Sequence, residues 1–134
     1  MEQTEKTDLR VRRTNAAIKK AFAEMIMEME PADITIKELA ARAQIHRKTF
    51  YLHYTCIEAL FEDMIQDIAN AYYKEIDKIP ANMPMKEVNN VFFDFFSHQE
   101  PYVERLMCAP EYHEFFDKTL RVTLMQHNRA RHNP

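Results

Sequence analysis

Apolar side chains recur along this chain at intervals of three and four, and prolines interrupt them. That is the pattern of successive amphipathic helices. Over residues 9–29 the apolar positions are Ile18, Phe22, Met25, Ile26 and Met29, with Ala21 between. Pro31 closes this helix, because the residue before a proline is pushed out of the α region. Thr35 followed by Glu38 has the spacing of a capping box, in which the hydroxyl takes the amide at 38 and the carboxylate reaches back. Ile36, Leu39 and Ala40 then give a short stripe that ends near Ala43. Gln44-Ile45-His46 is a tight break, and a third helix covers Arg47–Leu52 with Ile45 and Phe50 as its buried anchors.

His53-Tyr54-Thr55-Cys56 leads into a long helix over residues 57–79. Its stripe is Leu60 or Phe61, Met64, Ile65, Ile68, Tyr72, Ile76 and Ile79. Pro80 closes it, and residues 81–84 form a loop. Three more helices follow. Residues 85–97 carry Val88, Val91, Phe92, Phe95 and Phe96; residues 100–108 have Pro101 suited to a first turn; residues 111–127 carry Tyr112, Phe115, Phe116, Leu120 and Leu124. Pro110 breaks the chain between the last two, and the polar tail 128–134 frays. The fold class is all-α. Residues 1–56 form a three-helix N-terminal domain, helix 57–79 connects, and residues 57–134 form a short C-terminal helical domain.

Composition narrows the function. Glycine is absent, with 0 in 134 residues, where average usage supplies roughly nine. A Gly-rich phosphate loop, a Rossmann fingerprint and a nucleophile elbow each need backbone that only glycine provides cheaply. Most nucleotide-enzyme folds and Asn-Gly hairpins are thereby disfavoured. No stretch approaches the roughly 18 apolar residues of a membrane span. The N-terminus shows no apolar signal-peptide region. Cys56 and Cys108 stand in no metal-ligand spacing, so two reduced thiols in a cytoplasmic protein are expected.

The net charge of -3 hides an asymmetry. Residues 1–55 hold 10 Lys and Arg against 8 Asp and Glu, whereas residues 56–134 hold 8 against 13. Within residues 6–20, Lys6, Arg10, Arg12, Arg13, Lys19 and Lys20 face only Asp8. A basic end on an acidic chain fits either polyanion binding or a solvated helix face.

The second and third helices have the separation of a helix-turn-helix, whose second member enters the major groove of DNA. Arg47 and Lys48 open that helix, and either side chain can donate to guanine O6 and N7. Thr49, Tyr51 and His53 carry groups suited to phosphate oxygens, and Thr35 adds a helix start near the backbone. Taken as pattern alone, the same residues also fit ordinary core and solvated surface.

The run Ile34-Thr35-Ile36-Lys37-Glu38-Leu39-Ala40-Ala41-Arg42-Ala43, then Ile45, then Thr49-Phe50-Tyr51-Leu52-His53-Tyr54 and Glu58-Ala59-Leu60, resembles the DNA-binding domain of the TetR family of transcriptional regulators. The likeness covers about residues 9–70. It implies a homodimer on a palindromic double-stranded DNA operator. It also implies a repressor that lets go when a small molecule occupies the C-terminal helices. By the same resemblance Arg47 and Lys48 read bases, while Thr35, Thr49, Tyr51 and His53 meet phosphates. Ala40 is the small residue that lets the two helices approach closely.

Several positions depart from that family's pattern. Gln44 stands where the turn often carries glycine, so a side chain there must accept positive φ, at about 1 kcal/mol, or use another turn. His46 replaces a hydroxyl cap. Cys56 and Ile57 replace a polar cap and a lysine that meets phosphate. The basic N-terminal arm, Arg10, Arg12 and Arg13, can compensate by reaching the backbone or minor groove. Family members also continue with two further helices that form the dimer interface.

Phe92, Phe95, Phe96, Phe115 and Phe116 are candidate lining for a small apolar effector, with plain core as the alternative. Phe93 lies off the face of its neighbours. His113-Glu114 is half of a His-Glu-x-x-His zinc motif whose second histidine is missing. No catalytic arrangement, metal or cofactor is expected, so the chain reads as a regulator and not an enzyme. A helical protein-interaction module without operator specificity is the alternative.

Overall fold

The computed structural model describes the backbone of residues 2–132 and the side chains of residues 5–123, 125 and 126. Among the described residues the chain is all-α. It has helices α1 (Glu2–Glu28), α2 (Ile36–Ala43), α3 (Arg47–His53), α4 (Ile57–Ile76), α5 (Met85–Ser97), α6 (Pro101–Cys108) and α7 (Pro110–His132), with a 3-10 turn at Pro31–Asp33. The chain divides into two compact units, Met1–Phe61 and Glu62–Pro134, and the division falls inside α4.

The long helix α4 ends at Ile76, three residues short of the expected 79, with residues 77–79 in a turn before Pro80. Three other boundaries also differ from the periodic reading. First, α1 starts at Glu2, so the basic segment is helical and not an arm. Every side chain from residue 5 to 13 is exposed, which leaves no apolar rhythm to reveal a helix there. Second, Pro110 does not break the chain but opens α7, leaving Ala109 alone between α6 and α7. Its missing N–H falls at a position where an intrahelical partner is lacking anyway. Third, α7 continues to His132 instead of fraying after residue 127, and Asn133 and Pro134 lie outside the described residues.

The core of the first unit comes from α1 (Ile18, Phe22, Met25 and Ile26), from Ile34 and Leu39, and from Phe50 of α3, all buried. Phe61, the last residue of this unit, sets its ring edge-on to Phe22 at 5.8 Å. Ala40 is 2% exposed, and its missing bulk lets α2 and α3 meet.

In the second unit Met64, Ile65, Ile68 and Ala69 of α4, Val103 and Leu106 of α6, and Tyr112 and Phe116 of α7 are buried. Tyr73 is buried and Tyr72 only half-buried, which reverses the expected register at the end of the α4 stripe. The α6–α7 pair is tied by Arg105, whose guanidinium lies 5.6 Å from the Tyr112 ring centre. α5 has no fully buried residue. The side chain of Leu124, an expected stripe position, lies outside the described residues.

Candidate nucleic-acid interface

The helix-turn-helix is built from the cap of α2 onward. Thr35 sits in extended backbone and its Oγ1 accepts the Glu38 amide at 3.2 Å. That satisfies one of the donors a helix start leaves open. The capping box is only half made. The Glu38 carboxylate does not return to the cap but takes Arg42 Nη2 at 3.0 Å. Arg42 also grips Glu28 at the end of α1, so one guanidinium ties α2 to α1. This contact holds the Glu28 carboxyl below its ordinary range, chiefly through the hydrogen bond from Arg42.

Gln44 ends α2 in the left-handed region, at φ 58 and ψ 45. The Ile45 amide donates to the Ala40 carbonyl at 3.0 Å, and the Gln44 amide to Ala41 at 3.2 Å. These two bonds are a Schellman closure. They explain why the chain accepts positive φ here without glycine: the turn geometry satisfies carbonyls that the helix end would leave open. His46 precedes α3 in extended backbone with no side-chain cap, as its imidazole suggested.

α3 is held from inside by Phe50, which is fully buried. Its ring meets Tyr51 edge-on at 5.7 Å and Tyr54 at 5.9 Å. Tyr54 then donates from its hydroxyl to Asn15 Oδ1 at 2.8 Å, pinning the end of α3 to α1. The seven-residue α3 therefore has fixed contacts at its centre and its end.

The outward side carries the chemistry. Arg47 and Lys48 are exposed, and among the described residues no carboxylate pairs with either. Tyr51 is exposed, with its ring steadied by Phe50. Thr49 and His53 are half-buried on the flanks, and Thr35 is exposed at the start of α2. These six are brought together by one short motif. Arg10, Arg12 and Arg13 stand exposed on α1. A helical backbone cannot thread into a minor groove as an extended arm, so that expectation is corrected. Arg12 lies one turn before Asn15, on the side of α1 that meets Tyr54; Arg10 and Arg13 share another side.

Two exposed positions on α3 and α2 escaped the sequence reading. Leu52 is 85% exposed, and Lys37 is exposed one position into α2. The signal for Leu52 was present: it stands two residues after the buried Phe50, which puts it on the opposite side of a helix.

The phenylalanine candidates fall in different places. Phe92, Phe95 and Phe96 gather around Tyr72, with ring centres 5.7, 5.4 and 5.8 Å from it. Phe95 lines a concavity of about 260 Å³ with Glu75, Val91, Asp94, His98 and Gln99. Phe115 lines a separate one of about 300 Å³, with Glu62, Gln66 and Lys118 among its walls. Phe116 is buried. The Nδ1 atoms of His98 and His113 engage backbone carbonyls, of Asp94 and Met107 respectively, each at 2.7 Å. Among the described residues no cluster of three His, Cys, Asp or Glu side chains could hold a metal. None of the described helices is long and apolar enough to cross a membrane.

A stretch of 66 residues is 41% identical to the uncharacterized HTH-type transcriptional regulator YxbF of Bacillus subtilis (strain 168), covering 48% of this chain and 17% of that protein. The chain thus spans a minor part of the length of the curated relative it matches. No family model matches the chain, and no solved structure matches it significantly.

Proposed function

We propose that this chain carries a TetR-type helix-turn-helix that binds double-stranded DNA and serves a transcriptional regulator. The carrying observation is the two-sided α3: Phe50 is buried within, while Arg47, Lys48 and Tyr51 stand outward, and neither cation pairs with a carboxylate among the described residues. The likeness to a protein named as a helix-turn-helix regulator supports the same reading. Arg47 and Lys48 donate to guanine edges. Tyr51, Thr49, His53 and Thr35 meet phosphates and set the register. The Thr35 oxygen accepts the Glu38 amide, which leaves its own hydrogen to donate outward. Arg10, Arg12 and Arg13 add backbone contacts from the side of a helix.

The complete regulator works as a homodimer that represses from a palindromic operator, with half-sites about 34–36 Å apart. A small apolar effector in the second unit releases it by favouring a form whose recognition helices no longer match that spacing. No catalytic step is assigned to any residue.

Selection from random duplexes, followed by mobility shift, tests the reading. Arg47→Ala should lose discrimination at one base step by about 1–3 kcal/mol. Tyr51→Phe should weaken all sequences alike. Affinity should fall steeply with salt. If no preferred sequence emerges and salt has little effect, the motif serves protein contacts instead.

A further inference from the structure

We infer that Leu52 reads a thymine, packing its side chain on the C5-methyl group in the major groove. This rests on the reading of α3 as the helix that enters DNA.

Leu52 is the most exposed large apolar side chain among the described residues, at 85%. A single exposed leucine on a protein surface is ordinary, so exposure alone decides nothing. Its position does. Lys48 precedes it by four residues and Arg47 precedes Tyr51 by four, so the outward side of α3 carries two parallel rows. One row is a cation and a tyrosine; the other is a cation and a leucine. α3 contains no acidic residue, so the field at Leu52 favours a polyanion. The one apolar feature that the base edges of a major groove present is the thymine methyl. The two side chains of the Lys48–Leu52 row are separated by about 6 Å along the helix axis. That is roughly two base steps at 3.4 Å each. The thymine should therefore lie within about two steps of the guanine that Lys48 reads.

The test uses the sequence that selection returns for the full chain. Each thymine of that duplex is replaced in turn by deoxyuridine, which lacks only the methyl. Binding is measured for the parent, Leu52→Ala and Leu52→Met. At one position the parent should lose roughly fourfold in affinity, the factor that burying one methyl is worth. Leu52→Ala should bind the parent duplex more weakly and show no uracil effect there, while Leu52→Met should keep part of it. Circular dichroism of the variants should match the parent, since Leu52 is not in the core. Three results overturn the inference: no thymine is sensitive, the sensitivity persists in Leu52→Ala, or Leu52→Ala changes sedimentation while leaving DNA affinity alone. In each of these, a preferred sequence still stands and the DNA-binding reading survives. If no sequence is preferred, that reading falls and this one with it.

Discussion

Replacing Gln44 by glycine should stabilise the first unit. The residue holds φ 58 and ψ 45, where an L-residue with a Cβ is crowded by the following carbonyl oxygen at a cost of about 1–2 kcal/mol. Glycine removes that crowding. It also gives the unfolded chain more freedom, which takes back about 0.4–1 kcal/mol. The difference is a net gain of about 0.5–1 kcal/mol, because among the described residues the exposed Gln44 side chain has no hydrogen bond to lose. With a urea slope of about 1–3 kcal/mol per molar for a small domain, the midpoint should rise by about 0.5 M with the slope unchanged. Two controls separate backbone from side chain. Gln44→Ala keeps the Cβ and should leave the midpoint where it is; Gln44→Asn should fall between, since asparagine tolerates this conformation. Amide exchange in α2 and α3 localises the gain. If alanine raises the midpoint as much as glycine, or if glycine lowers it, the strain is not where the turn geometry places it.

Tyr54→Phe deletes the donor to Asn15 and should cost about 0.5–1.5 kcal/mol in urea unfolding, with DNA affinity falling more than stability if α3 loses its anchor on α1. Glu28 has a lowered carboxyl pKa, with 4.5 as its ordinary value; its contribution is therefore present above pH 4.5 and is lost as pH falls through the lower folded value. Glu28→Gln should flatten that acid-side loss of stability, and an unchanged acid profile would show the pair with Arg42 to be fully solvated.

Most of the helix-turn-helix was legible because its signals are local. Thr35, the Leu39–Ala40 stripe, the break at Gln44 and the anchor Phe50 each act within one turn of chain. Their spacing therefore carries the geometry directly. Part of what failed was read from periodicity alone. Periodicity reports a buried face, and residues 5–13 of α1 bury nothing. The basic segment consequently looked like an arm. The capping box failed on its second half for another reason: Arg42, one turn on, competes for the Glu38 carboxylate, and a charged donor outbids a backbone amide. The phenylalanines posed a third difficulty. Spacing shows that they share a helix face but not what lies opposite. Tyr72, not Phe115 or Phe116, is the ring on which three of them gather.

The same competition sorts the arginines of the first unit into two kinds, and the sorting is measurable. Arg42 has two carboxylate partners, Glu28 and Glu38, and its charge is spent within the unit. Arg12 stands exposed with no carboxylate partner among the described residues. Only an unpaired cation can release counterions from a phosphate it meets. The salt dependence of DNA affinity therefore counts cations of the second kind. Arg12→Gln should lower the salt slope by about 1 per half-site and leave the urea midpoint unmoved. Arg42→Gln should do the reverse, lowering the midpoint with the slope intact, because the link from α2 to the end of α1 is lost. Isothermal binding at several salt concentrations, paired with urea unfolding, measures both quantities for each variant. If Arg42→Gln lowers the slope and Arg12→Gln does not, the phosphate contacts run along α2, and the placement of the backbone contacts on α1 is wrong.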